Sequence, residues 1–175
     1  MAIYFDQEED MLYPTLNEVE ELLKDYQMVP VFYEVLADYM TPIRMFQALR
    51  KQGTPCFILE SVENKDQWGR YSFIGINPRS EIKISGKELE VNGVKQKEEF
   101  QMRYLSDLIE KYKSPVMEDY PKLTGGLIGY FGYDMIRQVE KKLTNVPEDD
   151  LNMPECHLCM YVENIAFDHL ANKAV

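Results

Sequence analysis

The spacing of apolar and polar positions divides the chain into helical and extended stretches. Leu16, Val19, Leu22, Leu23 and Tyr26 recur at helical spacing, behind Thr15 with Glu18 three residues later. That pairing caps a helix start from both side chain and backbone, so a helix is expected here. Met28 to Leu36 is apolar and β-branched, which predicts a strand. Thr41-Pro42 reads as N-cap and first helical position, with Ile43, Phe46 and Leu49 on one face and Gly53 as the stop. Pro55 to Ser61 is a short, nearly continuous apolar run, the pattern of a buried strand.

The middle of the chain predicts its own register. Gly86-Lys87 suits a two-residue turn with glycine first. Closing the chain there sets Ile84 opposite Leu89, Lys83 opposite Glu90 and Ile82 opposite Val91. Apolar pairs then share one face and an opposite-charge pair sits on the other, as a half-buried hairpin requires. Asn92-Gly93 marks a second tight turn and sets Glu90 opposite Lys95.

Beyond it, Tyr104, Leu105, Leu108, Ile109 and Tyr112 stripe a helix from Phe100 to Lys113. Pro115 to Pro121 reads as a linker, Gly125 to Tyr133 as a strand leading into a short helix through Glu140, and Asn145 to Pro154 as an acidic loop. Cys156 to Phe167 reads as one last long strand. Leu170-Ala171-Asn172 resembles a turn and Lys173-Ala174-Val175 the start of another strand. Domains seldom stop there, because the preceding strand is left as an unpaired edge, so a truncated chain is expected. The fold class these elements predict is α+β, mainly antiparallel sheet with flanking helices.

Composition narrows the function. With 30 Asp and Glu against 19 Lys and Arg, a formal charge of −11 argues against nucleic acid, whose binding needs clustered cations. No apolar run approaches the ~20 residues that span a bilayer. Met1 to Asp10 carries acids and no Lys or Arg, so a secretory signal is not expected and the cytoplasm is the expected compartment.

Candidate chemistry is sparse. Phosphate-loop, nucleophile-elbow and zinc-protease motifs are missing, and Gly125, Gly126, Gly129 and Gly132 have the wrong spacing for a dinucleotide loop. Those glycines fit close backbone approach within a sheet instead. Cys156 and Cys159 form C-x-x-C, but residues three apart in a strand face opposite ways, and no second pair completes a zinc site. His157 and His169 lie near each other in sequence but have no matched acid or nucleophile, so neither is favoured as a general base.

Glu60-Ser61 follows Cys56-Phe57-Ile58-Leu59 where a strand leaves the core. A carboxylate, a hydroxyl and free backbone N–H groups beside apolar side chains suit a free amino acid. The plainer reading, which composition favours, is a strand-end carboxylate in solvent. Arg70 offers a planar fork that can serve a ligand carboxylate or a neighbouring acid.

At these residues the chain resembles a known family. Ile58-Leu59-Glu60-Ser61, Trp68 to Gly75, Asp38 to Phe46, Asn77-Pro78, Gly125 to Asp134 and Asp168-His169 together resemble the N-terminal region of anthranilate synthase component I. The resemblance implies a two-sheet β-sandwich wrapped by helices. It also implies an L-tryptophan feedback site to which Glu60 and Ser61 contribute, with Arg70 more loosely placed near it; Ile58 stands where the family has leucine. The implied reaction of the whole subunit turns chorismate and ammonia into anthranilate and pyruvate with Mg2+, the ammonia coming from a glutamine amidotransferase subunit. Chorismate and metal ligands would lie in a C-terminal domain beyond Val175, leaving no catalytic, cofactor or metal residue here. Two alternatives stand beside this reading: the large subunit of aminodeoxychorismate synthase, and a free-standing amino-acid-binding module.

Overall fold

The computed structural model describes residues 12–60, 69–97, 101–140, 142–143, 145 and 148–175. The chain begins with β1 (Leu12–Tyr13), α1 (Leu16–Leu22), β2 (Phe32–Tyr33) and β3 (Val35–Leu36), followed by α2 (Pro42–Leu49) and β4 (Phe57–Leu59). Next come β5 (Tyr71–Gly75), β6 (Ser80–Ser85), β7 (Glu88–Val91), β8 (Val94–Gln96) and α3 (Gln101–Lys111). It continues through β9 (Gly126–Phe131), a 3-10 helix (Tyr133–Gln138), β10 (Cys156–Tyr161), β11 (Asn164–Asp168) and β12 (Lys173–Ala174). The strands form two five-stranded antiparallel sheets, ordered β8-β7-β6-β10-β9 and β3-β12-β11-β5-β4, beside a β1-β2 ribbon. The expected α+β, mainly antiparallel class holds.

The first sheet follows its sequence pattern rung by rung. Ile82 faces Val91, Lys83 faces Glu90, Ile84 faces Leu89, and Glu90 faces Lys95. Gly86 sits at φ 56°, the left-handed value that the turn demands of its first residue. Ile82 and Ile84 continue onto Leu158 and Cys156 of β10, and this face closes under Leu105 of α3 and Met135 of the 3-10 helix. Gly129 makes the β9–β10 approach possible, since a Cβ there would lie 2.0 Å from the His157 carbonyl oxygen. The charges, although opposite in register, pair differently: Lys83 reaches Glu81 and Lys95 reaches Glu88.

Five expectations change on folding. Met28–Leu36 is two short strands, β2 and β3, assigned to the ribbon and the second sheet. Cys156–Phe167 is likewise two strands in different sheets: β10 pairs β6, and β11 pairs β5. The β5–β6 arm bends alongside it, with Asn77 at φ 51° and Arg79 N–H donating to Met160 C=O at 2.7 Å. The only local marks are polar residues inside the apolar runs, Glu34 at the first break and Glu163-Asn164 at the second, and these do not by themselves say that the chain changes sheet. β4 is an edge strand, intermediate to exposed rather than buried. In α2, Thr41 caps as expected, but the inward face is Pro42, Met45, Phe46 and Leu49; Ile43 is exposed. The stripe of α3 narrows similarly: Tyr104, Leu105 and Leu108 face the core while Ile109 is exposed.

Candidate functional site at one end of the second sheet

The second sheet carries a smaller core, Ala37, Phe167 and Ala174 with Met45 and Ile165 against them. At one end of this sheet β4 leaves, β5 begins and β11 finishes, so polar residues from three distant segments meet. Leu59 faces Phe73 and Ile58 faces Ile74, and Glu60 follows directly after the last paired residue of β4. Directly opposed residues share a face, so Ser72 and Phe167 lie on the same side of the sheet as Ile58 and Ile74. Glu60 is exposed. Ser61 lies outside the described residues, as do Trp68 and Phe100.

Arg70 takes the second of its two sequence readings. Its Nε donates to both carboxylate oxygens of Asp168 at 3.0 Å, and Nη2 donates to Oδ2. Asp168 also accepts from the backbone N–H groups of Leu170 and Ala171, at 2.9 and 3.1 Å. Burial pushes the Asp168 carboxyl up, but the Arg70 guanidinium and the two amides outweigh it and hold it below the ordinary carboxylate value. The same contact raises Arg70. The guanidinium also lies 4.9 Å from the ring centre of Tyr71, a cation–π distance. Among the described residues, Nη1 and the second N–H of Nη2 have no hydrogen-bond partner.

Beside this pair, Ser72 Oγ lies 2.7 Å from His169 Nε2, and the His169 ring packs 5.1 Å from Phe167. A serine on a histidine is the first half of a nucleophile arrangement. Here it is structural: Ser72 is 2% exposed, and Asp168 spends its oxygens on Arg70 and the turn rather than on His169. His157 has a partner too, Glu81 Oε1 at 2.7 Å across the first sheet. Lys83, ahead of His157, holds the Glu81 carboxyl low against the effect of burial. Both histidines therefore have the partners that sequence proximity did not supply, 97 and 76 residues away.

The cysteines behave as core. Cys156 packs with Ile84 and Leu89, and burial pushes its thiol up to about 11. Cys159 is buried and also raised, chiefly by burial. Such thiols are poor nucleophiles and poor metal ligands. Among the described residues no group of three or more His, Cys, Asp and Glu is placed to hold a metal ion. Nor is any described helix long and apolar enough to cross a membrane.

What the end of the sheet offers is an exposed carboxylate, a hydrogen-bonding edge and a rigid cationic brace beside apolar strands. Asp168, Ser72 and His169 were missed as its builders because their partners are far apart in sequence. The one local hint was an Asp directly before the Leu170-Ala171-Asn172 turn, where a carboxylate accepts from amides two and three residues on.

No protein-family model matches the chain. It is 42% identical over 167 residues to anthranilate synthase component 1 of Acetivibrio thermocellus, covering 93% of this chain and 33% of that protein. It is 36% identical to anthranilate synthase alpha subunit 2, chloroplastic, of Arabidopsis thaliana, covering 92% of this chain and 30% of that one. The crystal structure of anthranilate synthase component I from Streptococcus pneumoniae TIGR4 superposes with a TM-score of 0.52 at 31% identity, over 80% of this chain and 30% of that one. The chain is thus similar in sequence and fold to an anthranilate synthase large subunit, and spans about a third of the length of these relatives.

Proposed function

We propose that residues 1–175 form the N-terminal, regulatory part of an anthranilate synthase large subunit. What supports the reading most is the 42% identity spread over 93% of the chain, against a relative of which it covers 33%. The whole subunit, on this reading, converts chorismate and ammonia to anthranilate and pyruvate. It works with a glutamine amidotransferase subunit that supplies the ammonia, and with Mg2+ held in its own C-terminal domain. This part contributes half of an L-tryptophan feedback site.

The polar end of the second sheet suits that role. Glu60 accepts from the ammonium of the amino acid, Ser61 adds a hydroxyl, and the edge of β4 offers backbone N–H groups. Arg70 borders the site with its fork anchored by Asp168, so it acts first by holding the start of β5 against the end of β11. Its free Nη1 is available to a carboxylate. An amino acid needs apolar walls as well, and those are left for the other half of the subunit to complete.

Calorimetric titration of L-tryptophan into the full-length subunit and into residues 1–175 tests this directly. The expected result is binding to the full-length protein and at least tenfold weaker binding to the shorter chain. No binding to either, with a full-length enzyme that makes aminodeoxychorismate rather than anthranilate, would replace the reading with its folate-branch relative.

A further inference from the structure

One face of the first sheet runs on past its helical cover. Met160 lies two residues beyond Leu158 and directly opposite Leu127, so both side chains continue the face on which Leu158 and Ile82 form the core. α3 covers that face through Leu105 and Leu108 and ends at Lys111. The chain leaves the helix as a loop from Ser114 and comes back to the sheet at Gly126, where β9 starts. The helix end, the two ends of this loop and the sheet enclose a cavity of about 410 Å³. Small-molecule sites occupy roughly 300–1,000 Å³, so a compact ligand fits.

The walls of the cavity divide by chemistry. Leu127 and Met160 give it an apolar floor, and α3 adds Ile109 and the ring of Tyr112. Ile109, the residue of the expected α3 stripe that the core does not use, therefore faces this space. Gly126 holds φ 142°, and no atom lies within 4 Å of where a Cβ would stand, which leaves the backbone open on that side. The rim is cationic: Lys113 and Lys122 line it, with Glu110 as the acid, 3.6 Å from Lys113. Arg79 and Lys111 lie 5.6 and 5.5 Å from the centre of the Tyr112 ring. Four cations from three segments thus gather about one tyrosine in a chain whose formal charge is −11. Lys111 and Lys113 answer the negative end of α3. Arg79 and Lys122 are not on that helix, and among the described residues neither has an ion-pair partner. Like charges gathered beside a cleft raise the local concentration of anions.

We propose that this cavity binds a small aromatic carboxylic acid, with its ring on Leu127 and Met160 and its carboxylate at Lys113 and Lys122. The apolar floor selects a flat hydrophobic body, and the edge of the Tyr112 ring suits a second ring beside it. The cations select the acid group. This site is separate from the one at Glu60 and does not rest on the proposed function. At Glu60 a carboxylate is offered to an ammonium; here the cations favour a ligand that lacks one.

Methyl-resolved NMR of the full-length protein, titrated with benzoate, tests the proposal. The methyl signals of Ile109, Leu127 and Met160 should shift saturably, while that of Ile74, buried in the second sheet, stays in place. Lys122→Glu reverses an exposed charge, so its spectrum without benzoate should match the parent outside the cavity. The benzoate concentration at half-saturation should rise about tenfold in Lys122→Glu, and again in Lys113→Glu. Benzyl alcohol, which has the ring without the charge, should bind about tenfold more weakly than benzoate. No shift at the three methyls would overturn the site, and is the result if another part of the full-length protein fills the cavity. Equal binding of benzoate to the parent and both variants, or equal binding of benzyl alcohol and benzoate, would overturn the acid as its ligand. None of these results bears on Glu60.

Discussion

The two sheets are built from the same kinds of residue and solve different problems. In the first, β6, β7 and β10 bring Ile82, Ile84, Leu89, Cys156 and Leu158 onto one face, and α3 closes it with Leu105. Ile82 and Ile84 are fully buried, and the core is complete within the chain. The second sheet has a smaller cluster, Ala37, Phe167 and Ala174, beside a fully buried Ile74, and an edge strand with Leu59 45% exposed. Its polar end is held by Arg70 and Asp168 rather than by packing. On the proposed function, the closed sheet is the scaffold and the open one is the surface that takes the ligand, so stability and function can be tested separately.

Breaking the closed sheet should cost most. Ile84→Ala deletes a fully buried side chain between Leu89 and Cys156, and should destabilise by about 2–5 kcal/mol in chemical denaturation. Next comes the brace of the open sheet. Asp168→Ala removes its contacts to Arg70, Leu170 and Ala171, for about 1–3 kcal/mol, reduced from a fully buried pair because Arg70 is 42% exposed. This loss has a pH signature. The Asp168 pKa is lowered in the folded state, so its stabilisation is complete above the ordinary carboxylate range and is lost as pH falls through the folded value. Denaturation midpoints measured downward from neutral pH should fall less steeply in Asp168→Asn than in the parent. Smaller still is the α2 cap: Thr41→Ala, which loses the bond from Arg44 N–H, should cost about 1 kcal/mol.

The same contrast explains what was legible in the sequence. The β6–β8 meander could be read to the rung because glycine and asparagine turns fix which residues face each other, and face alternation then follows. The second sheet is assembled from five segments spread between Val35 and Ala174, and no local rule says which strand lies beside which. Arg70 was visible as a fork, but its partner Asp168 was not, because their pairing spans 98 residues. Glu60 was legible as a carboxylate at a strand end, and its place directly after an edge strand, β4, came with the fold. The passage of Cys156–Phe167 from one sheet to the other was marked only by Glu163-Asn164 between the two apolar stretches, too weak a break to tell a sheet change from a polar position in one strand.

If the open end of the second sheet is the regulatory half-site, Glu60 should matter for the inhibitor and for little else. The most direct measurement is L-tryptophan inhibition of a full-length subunit carrying Glu60→Gln. Removing a charged acceptor of the ammonium should weaken inhibition by about 1.5–3 kcal/mol, or roughly ten- to hundredfold. Uninhibited activity and thermal stability should stay as they were, because Glu60 is exposed. Inhibition unchanged from the parent enzyme would contradict the assignment.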